Sequence, residues 1–126
     1  MRKFLTPGTS LVIAFLVVGF NSDTFDFGIK KFVGVWEYKA PDAPYGYQNG
    51  TINLTREKRV LKGTVTIGSY ASELQEIQTV KNQLKCYVSV EGERVRLKLD
   101  FDKDFFEGVA MSSEGDIPMT GTRTSK

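Results

Sequence analysis

The segment Ala40-Pro41-Asp42-Ala43-Pro44-Tyr45-Gly46-Tyr47, with Tyr38 just before it, holds the residues best suited by type and spacing to recognise a small molecule. A tyrosine offers a broad apolar ring and one hydroxyl at low conformational cost. Two prolines stiffen the segment, and binding residues concentrate on loops held by a rigid frame. The expected ligand-binding residues are therefore Tyr38, Tyr45 and Tyr47. The competing reading is an ordinary loop whose tyrosines cap the core.

Catalytic and metal chemistry have no comparable foothold. Histidine is absent, which removes Ser-His and Cys-His nucleophile pairs and any imidazole-based zinc site. The lone Cys86 falls between Leu84 and Val88 on an apolar face and reads as a buried structural thiol. Asp100, Asp102 and Asp104 open like a calcium loop, but Phe105 stands where that loop needs glycine and Met111 where it needs glutamate. They read as a solvated hairpin tip. Glu73 with Glu76, and Glu91 with Glu93, carry nothing that makes one an acid and the other a base. Arg94, Arg96 and Lys98 share one strand face with Asp100 and read as a solvated exterior. No enzyme, metal or cofactor is expected.

The chain carries 17 Lys and Arg against 15 Asp and Glu, and Arg2 and Lys3 supply the whole excess. A domain without net charge or a basic block lacks the phosphate-neutralising surface of a nucleic-acid binder. Arg2 and Lys3 precede Leu11–Phe20, an uncharged apolar run of 10 residues. That is the layout of a secretory signal peptide, and it is shorter than the ~20 residues that span a bilayer. Residues 1–20 are expected to be a signal peptide or an uncleaved anchor helix, residues 21–31 a lead-in, and residues 32–126 a single domain. The expected location is outside the cytoplasm, periplasmic or secreted, with membrane contact only through that anchor.

From Phe32 onward apolar residues recur every second position, the period of strands. Eight strands are expected: 32–39, 50–55, 60–68, 73–80, 84–90, 94–101, 105–112 and 117–124. The fourth has the weakest alternation. Short connections imply an antiparallel up-and-down meander, and inward glycines at Gly34, Gly63, Gly108 and Gly121 favour closure into a barrel over a sandwich. Ile52, Leu54, Leu61, Gly63 and Val65 reappear as Leu97, Leu99, Phe106, Gly108 and Ala110 at a constant shift of 45, one hairpin design used twice.

Gly34-Val35-Trp36 at the start of the first strand and Thr122-Arg123 in the last resemble the lipocalin and calycin superfamily of β-barrels. The resemblance implies that Trp36 closes one barrel end and Arg123 packs across its ring, with Gly34 completing the motif. The tail Ile117–Arg123 is also similar to the end of small lipocalin-like modules attached to some secreted bacterial hydrolases. These similarities span Phe32 to Arg123, without the C-terminal helix and disulfides of that family.

Alternation with Trp36 inward turns Val33 and Val35 outward, and Phe105, Val109 and Met111 likewise. Closure sets these five beside Pro118, Thr120 and Thr122 as one nearly uncharged strip, a candidate interaction patch. Phe25, Phe27 and Ile29 of the lead-in are expected to cover it or the adjacent barrel end. The sequence thus describes an exported, non-catalytic, lipocalin-like binding protein for a small apolar ligand or a secreted or periplasmic partner. The alternative is an interaction, inhibitor or accessory module with a filled interior, and the volume inside the barrel separates the two.

Overall fold

In the computed structural model, residues 28–126 are described, and the expected signal or anchor helix lies outside them. Nine strands follow one another: β1 (Gly34–Lys39), β2 (Asn49–Glu57), β3 (Val60–Ile67), β4 (Tyr70–Glu73), β5 (Gln75–Val80), β6 (Gln83–Val90), β7 (Glu93–Asp102), β8 (Phe105–Ser112) and β9 (Gly115–Ser125). They form one antiparallel sheet in the order β4-β3-β2-β1-β9-β8-β7-β6-β5, coiled into a nearly closed barrel.

The count of nine corrects the expectation of eight. The fourth strand starts earlier than expected, at Tyr70, and breaks at Leu74. Its first half pairs with β3 (Thr64 opposite Glu73, Ile67 opposite Tyr70) and its second half with β6 (Gln78 opposite Lys85, Val80 opposite Gln83). One stretch of chain therefore serves both edges of the sheet, half each, and forms the seam. The transfer falls at Leu74, between Glu73 opposite Thr64 and Gln75 opposite Tyr87, and a bulge at Glu76 (φ 52°) follows within the β5–β6 ladder. The Leu74 amide extends the β3 ladder by bonding the Gly63 carbonyl at 2.9 Å, and the Tyr70 hydroxyl crosses the seam to the Ser89 carbonyl at 2.6 Å.

Two-residue turns join most neighbours. Lys58 and Arg59 both take positive φ (50° and 70°), as do Glu91 and Gly92 (50° and 84°), the backbone that matches the twist of adjoining strands. The repeated hairpin has one register in both copies: Leu54 faces Gly63 in β2–β3, and Leu99 faces Gly108 in β7–β8. A side chain on either glycine would strike the opposing leucine. Tyr38 faces Gly50 and Phe106 faces Gly121 in the same manner. At these four inward sites a large side chain lies flat over a glycine on the next strand, which lets the wall curve tightly.

The core fills one end of the barrel. Phe32 stands edge-on to Phe101 (centroids 4.9 Å apart), Phe101 edge-on to Trp36 (4.8 Å), and Phe106 tilts against both. Such aromatic pairs contribute about 0.5–1.5 kcal/mol each beyond simple burial. The chain enters this end through a helical turn in which the Phe32 amide bonds the Ile29 carbonyl and the Val33 amide bonds that of Lys30. Ile29 and Phe32 are buried with Trp36. Phe32 and Val33, expected to open the first strand, belong to this turn instead, because Gly34 at φ 145° breaks the extended path.

Candidate functional site: a half-hollow barrel

Along β1, β6 and β8 the largest inward side chains stand at the filled end, and smaller ones follow toward the other. Along β8 they run Phe106, Gly108, Ala110, Ser112; along β1 and just past it, Trp36, Tyr38, Ala40; along β6, Leu84, Cys86, Val88, Val90. The aromatic end packs solid and the small end does not. There a cavity of about 410 Å³ opens, walled mainly by Ile52, Val65, Val88, Val95, Leu97 and Ala110, with Tyr38 and Tyr47 on one side. That volume falls in the range of small-molecule sites, roughly 300–1,000 Å³.

Tyr38 sits between glycines, opposite Gly50 on β2 and Gly121 on β9. Its hydroxyl donates to the Tyr47 carbonyl at 3.1 Å, and burial pushes its pKa up. The loop from Ala40 to Gln48 is tied to itself: the Ala40 amide bonds the Gln48 carbonyl at 2.7 Å, and the Gln48 side chain reaches the Pro41 and Ala43 carbonyls. Tyr47 is half-buried and lines the cavity. Tyr45 does not. A turn closed by the Tyr47 amide on the Pro44 carbonyl makes Tyr45-Gly46 its tip, which leaves Tyr45 96% exposed and outside the cavity lining, unlike Tyr38 and Tyr47.

Three carboxylates, Glu91, Glu93 and Glu114, stand among the lining residues at the mouth. Glu93 accepts a hydrogen bond from the Ser113 backbone amide at 2.6 Å, which holds its carboxyl below the ordinary range. Cys86 lies in the wall's buried layer, and burial pushes its thiol up to about 12. Among the described residues no group of three or more possible metal ligands occurs.

At the filled end Trp36 is fully buried and its indole N–H donates to the Phe32 carbonyl at 3.0 Å. Arg123, directly opposite on β9, places its guanidinium carbon 4.5 Å from the indole centroid. Its three nitrogens donate to the Val33 carbonyl (2.5 Å), the Asp104 carboxylate (2.8 Å) and the Lys103 carbonyl (3.1 Å). A Cβ on Gly34 would lie 2.6 Å from the Ser125 carbonyl oxygen and 2.9 Å from the Arg123 side chain. Only glycine leaves the arginine its path.

The outer strip differs from its expected form. Val33 turns to the core, since it belongs to the entry turn and not to the strand. Val35, Val109 and Met111 are partly covered and Phe105 is 44% exposed. Glu37 on β1 and Glu107 on β8 interrupt them with charge, and Arg96 and Lys98 pair with Met111 and Val109. The uniform apolar strip is therefore absent. Of the lead-in residues expected to cover it or the adjacent barrel end, Ile29 plugs the barrel end, and Phe25 and Phe27 lie outside the described residues.

No family model and no curated protein matches the chain. Among solved structures it is similar to a redesigned β-barrel, with a TM-score of 0.55 and 14% identity over 77% of this chain and 95% of that one. The likeness bears on fold alone. The chain is a small antiparallel β-barrel.

Proposed function

We propose that this protein is an exported, non-catalytic, lipocalin-like carrier that takes a small apolar ligand into the open half of its barrel. The observation that carries the reading is the cavity of about 410 Å³ above a solid aromatic floor. Apolar walls supply affinity through burial, and the hydroxyls of Tyr38 and Tyr47 supply a few polar contacts. The lipocalin likeness is supported by the stacking of Arg123 on Trp36 beside Gly34. Export rests on Arg2, Lys3 and the apolar run Leu11–Phe20. In this reading the protein performs no chemical step, needs no cofactor and engages no nucleic acid.

The test is to fill the cavity. Ala110→Phe projects a ring into the open space, so it should abolish binding of a hydrophobic fluorescent probe while leaving the unfolding midpoint unchanged or raised. Unchanged probe binding would defeat the reading. A second reading, a protein-interaction, inhibitor or accessory module, is favoured by Tyr45, whose nearly full exposure at a loop tip suits a partner surface better than a ligand contact.

A further inference from the structure

The charge of the barrel is divided between its ends. The connections at the cavity end (residues 40–48, 68–69, 91–92 and 113–114) contain Asp42, Glu91 and Glu114 and no lysine or arginine. Those at the filled end contain Lys58, Arg59, Lys81 and Lys103 against one acid, Asp104, which Arg123 pairs, and Lys30 and Lys31 of the entry turn join them. At the mouth, Glu91, Glu93 and Glu114 line the cavity itself, and among the described residues no lysine or arginine does. Among the described residues none of the three forms an ion pair. The basic residues on the strand ends beside these connections are engaged or placed elsewhere. Lys39 is exposed on the outer face of β1, and Arg94 is held by Glu76 at 2.5 Å with its guanidinium 3.9 Å from the Tyr87 ring centroid.

Resting on the carrier reading above, we propose that the ligand is an amphiphilic cation, an apolar body with an ammonium or similar head. The body would occupy the cavity. At ~30 Å³ for a water-sized group, the 410 Å³ admit roughly a dozen heavy atoms. The head would rest at the mouth among Glu91, Glu93 and Glu114, where an anionic head would meet three like charges. An apolar funnel under a rim of one sign also concentrates the matching ion before contact.

Decyltrimethylammonium, decanol and decanoate share a chain and differ in head charge, and each is titrated below its micellar range at low salt. The expected order is ammonium, then alcohol, then carboxylate, with the ammonium about tenfold tighter than the alcohol, since each exposed carboxylate contributes the modest gain of a surface ion pair. The preference should shrink to near nothing in about 1 M NaCl, where charges are screened within a few ångströms. The triple variant Glu91→Gln, Glu93→Gln and Glu114→Gln should bind decanol as before and lose the tenfold preference. Glu107→Gln, on the outer face, should keep it. Equal binding of ammonium and alcohol, or a preference that survives the triple variant, would overturn the cation proposal and leave the carrier reading standing. Failure of all three probes to bind would overturn both.

Discussion

Arg123 and Trp36 face each other across β1 and β9, and the guanidinium covers the indole while bonding two turn carbonyls and Asp104. The arginine thereby joins the entry turn, the first strand, the last strand and the β7–β8 turn. Its side chain is only 10% exposed while Asp104 is 64% exposed, so packing and the two carbonyl bonds outweigh the solvent-screened ion pair. Arg123→Ala should cost about 1–3 kcal/mol, from lost packing and two carbonyls left without donors. Lysine should restore little, because a point charge cannot stack and bond three acceptors together. Urea unfolding followed by Trp36 fluorescence measures both.

Ile29 has a matching role from the other side of the same floor. Ile29→Ala should destabilise by about 2–4 kcal/mol, far more than expected of a linker residue. A truncation starting at residue 31 should lose at least as much, read as a lower thermal midpoint. A midpoint equal to that of the full chain would show that the entry turn is dispensable.

The Phe106–Gly121 pair predicts a specific rescue. Gly121→Ala pushes a methyl into the ring and should cost about 1–3 kcal/mol by overpacking. Adding Phe106→Leu should recover part of that loss, although Phe106→Leu alone destabilises. A double-mutant cycle with no coupling would contradict the flat packing of ring on glycine.

The tyrosines should separate cleanly in probe binding. Tyr47→Ala should weaken it several-fold, and Tyr45→Ala should leave both binding and the thermal midpoint unchanged, since its ring touches solvent alone. Tyr38→Phe should lower stability by about 0.5–1.5 kcal/mol, the contribution of one hydrogen bond, here to the Tyr47 carbonyl.

Glu93 ties stability to acid. Its folded pKa is lowered by the Ser113 amide, so its contribution is present above the ordinary carboxylate pKa of about 4.3 and is lost as pH falls through the lower folded value. Glu93→Gln should flatten the acid limb of the stability curve, its loss of stability being present at neutral pH and fading as pH falls. An unaltered acid limb would show that the bond to Ser113 is not held in solution.

Alternation made the inward residues of β2, β3 and β6–β9 legible, because a half-buried strand sorts its side chains by parity, and Val95, Leu97, Leu99 and Phe101 are buried while Arg94, Arg96 and Asp100 are not. Parity cannot tell a strand from a turn when only two residues are sampled, which is why Phe32 reads as strand and belongs to a helical turn. The break at Leu74 was not legible either. It arises from closure, where one stretch must satisfy two edges, and no local signal marks that demand. Tyr45 and Tyr47 look equivalent in sequence, and only the turn at Pro44 sends one out and the other in. The wall of the cavity could have been found from the inward series Phe106, Gly108, Ala110, Ser112, in which one aromatic ring is followed only by small residues. It was missed because parity says which way a side chain points and not whether the facing ones reach it.

The division of the barrel into a solid half and a hollow half also separates two kinds of selection. Residues that set the folding free energy (Trp36, Phe101, Phe106, Arg123) stand apart from those at the mouth that would set ligand choice (Tyr47, Glu91, Ser112, Glu114). Substitutions in the second group cross no tightly filled volume, so they are screened for fit to a ligand with little penalty in foldedness. A lineage built on this plan can change what it carries one residue at a time and remain folded at every step.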